Sequence, residues 1–112
     1  MRIIVFFDLP TETSKDRKIA NAFRKNLINE GFIMMQESVY TKLALNMSII
    51  NSVREKIYRF APSRGIVQMM VITEKQFSSI EYVTGEKKDN VLDNTERLII
   101  LWKSELMDVT MT

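Results

Sequence analysis

The chain begins with an apolar run that stops abruptly. Arg2-Ile3-Ile4-Val5-Phe6-Phe7 is rich in β-branched and aromatic residues, and Asp8-Leu9-Pro10-Thr11 breaks it. A continuous apolar run of this length, closed by a breaker, reads as a strand buried on both faces, hence central in a sheet. It is far too short for a secretory core or a membrane span, so the expectation is a cytoplasmic protein with no membrane partner. A length of 112 residues suits one domain with one core. That domain is expected to cover residues 1–102, with 103–112 as a tail.

The segment after this strand reads as helical. Thr13 and Asp16 stand at capping-box spacing, and Gly31 is a stop signal, so a helix is expected from Ser14 to Glu30. At 100° per residue, Ile19, Ala20, Phe23 and Leu27 share one arc, while Arg17, Lys18, Arg24 and Lys25 gather nearly opposite, with Lys15 at the edge. Phe32–Lys42 is read as one second strand with a bulge near Met34-Met35. Ile49, Ile50, Val53, Ile57 and Phe60 place a second helix over Met47 to Phe60. Ile66–Thr73 reads as another buried strand, and Glu74–Ile80 as a short helical turn.

Four strands with two helices suit an α+β, ferredoxin-like βαββαβ-type domain. Two assignments complete it: the region before Met47 forms a hairpin, or Glu81–Val83 supplies the fourth strand. The second is the simpler. Thr84–Thr95 reads as a polar loop, and Arg97–Trp102 as a surplus apolar strand. A surplus strand after a long loop would complete a partner's sheet edge, which predicts an exchanged C-terminal strand in a homodimer.

The chain has no cysteine and no histidine. Thiolate zinc sites, disulfides and histidine bases are excluded, and any metal must take oxygen ligands, which favours Mg2+, with Mn2+ possible. Asp8 is the sharpest chemical feature. It stands at the carboxyl end of a central strand, where ligands tend to bind in α/β layers, although a turn aspartate bonding nearby amides has the same signature. One carboxylate is a poor magnesium site, but two copies of Asp8 across a two-fold axis could share an ion that activates water against a phosphodiester. No second acid has obvious company: Glu37 falls mid-strand and Asp16 on the apolar side of its helix.

Charge is uneven, at +5 over residues 1–64 and −3 over 65–112. The basic helix arc, Lys15, Arg17, Lys18, Arg24 and Lys25, suits a phosphate backbone, and Arg64 in a later turn could join it. There are no interleaved aromatics, so binding would tolerate any sequence. An ordinary solvated face is the plain alternative.

These residues resemble a family. Met1 to Pro10 (Met-Arg-Ile-Ile-Val-Phe-Phe-Asp-Leu-Pro), the helix with Lys15-Asp16-Arg17-Lys18, the segment Met35-Gln36-Glu37-Ser38-Val39-Tyr40, and Arg64-Gly65-Ile66-Val67-Gln68 together are similar to the small CRISPR-associated protein two. The likeness covers roughly residues 1–102, and its Phe-Phe-Asp-Leu-Pro form is closest to single-effector systems. The resemblance implies a ferredoxin-like fold, a homodimer with C-terminal strand exchange, and Asp8 as the metal-linked aspartate near the dimer axis. It also implies a partner, the CRISPR integrase (CRISPR-associated protein one), double-stranded DNA to be inserted into the CRISPR array, and other proteins of a single-effector CRISPR system. Many members carry tyrosine before the aspartate, where this chain has Phe7.

Three functions stand as alternatives. The first is a spacer-acquisition scaffold that bridges integrase dimers across duplex DNA. The second is a magnesium-dependent endonuclease, an endoribonuclease or DNase, with catalytic Asp8. The third is a small regulatory ferredoxin-like dimer.

Overall fold

The computed structural model describes residues 1–86, and Met1–Glu81 form one compact unit. The opening run is a strand, β1 (Arg2–Asp8), and a helix α1 (Ser14–Asn29) comes after it. Thr13 caps α1 with the expected box: its hydroxyl accepts from the Asp16 amide at 3.0 Å, and the Asp16 carboxylate accepts from the Thr13 amide at 3.4 Å. At the other end Gly31 adopts φ +92°, and the Gly31 and Phe32 amides donate back to Ile28 and Leu27. This left-handed cap is why the helix stops there.

The segment read as a single second strand is two strands. β2 (Ile33–Gln36) and β3 (Val39–Leu43) form an antiparallel hairpin. The turn at Glu37-Ser38 lacks the Asn-Gly or Asp-Gly signal that marks tight hairpins. The anticipated irregularity is real and sits between Met34 and Gln36. Glu37 is therefore a turn residue, not mid-strand. Then come α2 (Met47–Phe60), β4 (Ile66–Ile72) and a short α3 (Glu74–Ser78). Residues 81–86 carry no regular structure, so the hairpin, not Glu81–Val83, supplies the fourth strand. The predicted strand Arg97–Trp102, the tail 103–112 and most of the loop 84–95 lie outside the described residues.

The sheet order is β2-β3-β1-β4, with every pair antiparallel. This is the ferredoxin-like α+β arrangement, with β1 central as its composition requires. Ile3, Val5 and Phe7 face a core shared with Ala20, Phe23 and Leu27 of α1 and Ile50, Val53 and Ile57 of α2. Both helices thus pack on one face.

The other face is less covered than the sequence suggests. Ile4 and Phe6 are only half-buried, and β4 alternates, with Ile66 57% and Met70 47% exposed. Neither strand is buried on both faces. Ile19 likewise leaves the apolar arc of α1 and is 42% exposed.

Candidate functional site

The carboxyl end of β1 is where the candidate residues converge. Asp8 pairs with Ile66 in the β1–β4 ladder, on the open face with Ile4 and Phe6. Its side chain is exposed and makes no hydrogen bond or ion pair to the described residues. The turn-aspartate alternative, in which the carboxylate bonds neighbouring amides, is therefore not what the structure shows.

Three segments wall this strand end. The first is the hairpin turn, since the Phe7 amide donates to Ser38 O at 3.1 Å. The second is the α2–β4 turn. Gly65 adopts φ +90°, and a Cβ there would lie 2.6 Å from Asp8 O and 3.2 Å from Leu9 Cα. Those contacts are backbone and cannot yield, so only glycine lets this turn seat against the strand end. The third is the β1–α1 loop, where Arg17 Nη1 donates to Thr11 O at 3.0 Å and Glu12 O at 3.2 Å.

Beneath the wall lies an aromatic floor. The Phe7 ring meets Phe23 edge-on at 5.0 Å between centroids and stacks near Tyr40 at 5.9 Å. Burial raises the Tyr40 hydroxyl above its ordinary value, against the lowering effect of the Arg24 guanidinium and with a small push from the Glu37 carboxylate. Arg24 lies across this floor, its guanidinium carbon 5.5 Å from the Phe7 ring centroid, and donates to Glu37 O at 3.1 Å.

The basic residues do not form one uniform patch. Lys15, Lys18 and Lys25 are exposed on α1. Arg64, expected to reach outward from its turn, is bound instead to Asp16, Nη1 to Oδ1 at 3.2 Å. The Asp16 side chain is 10% exposed. A hollow of about 310 Å³ opens here, lined by Leu9, Pro10, Ile19, Pro62 and the Asp16–Arg64 pair among others. Asp16 and Arg64 lie far apart in sequence and no local signal links them; only Gly65, which demands a close approach, marks that turn.

Among the described residues no group of three or more acidic, histidine or cysteine side chains gathers to hold a metal. Asp8 alone fits one: an exposed oxygen donor with no competing partner. Magnesium is commonly held through one or two carboxylates and otherwise keeps its waters. The donor set of one chain thus suits an outer-water ion or one shared between two copies, not a closed cage. No described helix is long and apolar enough to cross a membrane.

Comparison with known proteins matches this geometry to relatives. The sequence model of the family described as CRISPR associated protein Cas2 matches residues 1–80. A CRISPR-associated endoribonuclease Cas2 of Ligilactobacillus salivarius is 46% identical over 101 residues, covering 90% of this chain and 100% of the relative. One of the same name from Treponema denticola shows the same identity and coverage. Among solved structures, Streptococcus pyogenes Cas2 aligns with a TM-score of 0.58 at 15% identity, covering 75% of this chain and 100% of the other; that likeness is one of fold.

Proposed function

The chain belongs to the CRISPR-associated Cas2 family, and from that premise we propose that it acts in the cytoplasm as a homodimer in spacer acquisition. In this reading the dimer bridges dimers of the CRISPR integrase and lies along the duplex DNA to be inserted. The observation that carries it is the contrast at the end of β1: a positively charged helix face stands beside a carboxylate with no second acid. That combination can hold a phosphate backbone but lacks an acid–base pair within one chain.

Lys15, Arg17, Lys18, Arg24, Lys25 and Arg64 supply the positive charge for the duplex. The half-covered sheet face, with Ile66 and Met70 exposed, supports association with a second copy. A second copy would also bring a second Asp8 into play. Other proteins of a single-effector CRISPR system belong to the same assembly.

A second reading is favoured by the names of the relatives, which are endoribonucleases. Here paired Asp8 carboxylates hold Mg2+ or Mn2+, which when bound lowers the pKa of its water for attack on phosphorus. The chain's own part is to present Asp8 free of internal partners, on a strand end stiffened by Gly65 and the hairpin turn.

Asp8→Ala separates the two. In cells carrying the integrase and an array, the scaffold reading expects new spacers at the wild-type rate. Loss of acquisition, together with loss of magnesium-dependent RNA or DNA cleavage by the purified chain, would favour the nuclease. A stable monomer by light scattering would defeat both forms of the shared-metal site.

A further inference from the structure

The cations near Asp8 divide by chemistry. Every arginine among them is already engaged. Arg17 holds two carbonyls of the β1–α1 loop at 3.0 and 3.2 Å. Arg24 Nε takes Glu37 O at 3.1 Å, its Nη1 takes Asn21 Oδ1 at 3.3 Å, and its plane lies over Phe7. Arg64 joins the α2–β4 turn to the first turn of α1 through Asp16. These three links tie together the segments that wall Asp8. Lys15, Lys18 and Lys25, by contrast, are exposed and make no hydrogen bond or ion pair to the described residues.

We infer that Arg17, Arg24 and Arg64 are positioning residues for the wall around Asp8, and that the phosphate contacts of this face are carried by Lys15, Lys18 and Lys25. The physical reason is competition. An arginine turning toward a phosphate gives up acceptors it already holds, and a rigid guanidinium fork serves two acceptors that an ammonium cannot hold at once. A solvated lysine gives up only water and a released counterion. The lysine half rests on the duplex-binding proposal; the arginine half does not.

The test uses the full chain and a fluorescent duplex of about 30 base pairs, titrated over about 50–300 mM KCl. Each of Lys15→Gln, Lys18→Gln and Lys25→Gln should flatten the plot of log affinity against log salt by about 0.9, with an unchanged melting temperature. Arg24→Lys keeps the charge but not the fork. It should lower the melting temperature by about 3–6 °C and move the amide NMR signals of Phe7, Asp8 and Ser38, which the lysine variants leave in place. Arg17→Lys should move the signals of Thr11 and Glu12 in the same way. An Arg24→Lys chain that melts normally with unmoved signals, while Arg24→Gln flattens the salt plot by a full lysine's worth, would overturn the arginine half. Wild-type chain showing no salt-dependent binding would overturn the lysine half along with the proposal beneath it, and the melting and NMR results would still decide the arginines.

Discussion

The two ends of β1 each carry a charge on the same face of the sheet, and the fold treats them in opposite ways. Arg2 is fully buried; its Nε and Nη2 each reach a Glu74 carboxylate oxygen at 2.9 Å, and the Phe77 ring centroid lies 4.2 Å from its guanidinium carbon. Asp8 is exposed and has no side-chain partner among the described residues. A buried guanidinium costs several kcal/mol unless it is paired and hydrogen-bonded. The short helix α3 exists at the Arg2 end to supply that pairing. A carboxylate left in water carries no such penalty and stays available to a ligand. One end of the strand is therefore built for stability and the other for an encounter.

The largest expected effect lies at the buried end. Glu74→Ala strands the Arg2 charge, whose Nη1 already lacks a partner. It should cost about 3 kcal/mol, toward the low end for a broken buried pair because Glu74 is partly exposed. On a domain of this size that is a fall in Tm of about 10–15 °C. Replacing both residues, Arg2→Met with Glu74→Leu, should restore most of the loss. Melting of Glu74→Ala within about 2 °C of wild type would mean the pair does not hold this end.

Next comes the frame at the open end. Gly65→Ala places a Cβ against the Asp8 and Leu9 backbone at a positive φ, and should cost about 2–3 kcal/mol in urea unfolding. A neutral result would show that the turn can lift off the strand without loss. Asp8→Asn itself should leave Tm unchanged while abolishing Mn2+ binding followed by isothermal titration. A large fall in stability would make Asp8 a structural residue like Arg2 and erase the contrast.

The smallest effect concerns the floor. The folded-state Tyr40 hydroxyl has a raised pKa, chiefly from burial. The folded chain therefore keeps that proton longer than the unfolded chain does. The stabilising contribution is complete below about pH 10, the ordinary tyrosine value, and is lost as pH rises through the folded value. Tyr40→Phe should thus lose less stability than wild type between about pH 10 and 11. Parallel curves would place the tyrosine in a more watery site than its packing indicates.

Much of the frame was legible from local signals. The β1 run, the Thr13–Asp16 box, the Gly31 stop and the apolar stripe of α2 each act over one or two turns of chain, where side-chain spacing alone dictates geometry. The hairpin was hidden because Glu37-Ser38 is an uncharacteristic turn, so β2 and β3 merged into one apparent strand. β4 misled for a related reason: Ile66–Ile72 is apolar enough for double burial, but whether its second face is covered depends on what else packs there. Asp8 was visible as a candidate from its place after β1. Its freedom from internal partners was not.

The sequence by itself determined the order of most elements, the central strand, the absence of histidine and cysteine chemistry, and a basic helix face. These depend on composition and short-range periodicity. Only the tertiary structure decided which charges are spent. Arg2 meets Glu74, Arg64 meets Asp16, and Arg24 meets the hairpin turn, each across a loop whose closure no local pattern encodes. What remains unengaged after those pairings, Asp8 and the α1 lysines, is a remainder that becomes visible only once the chain has folded.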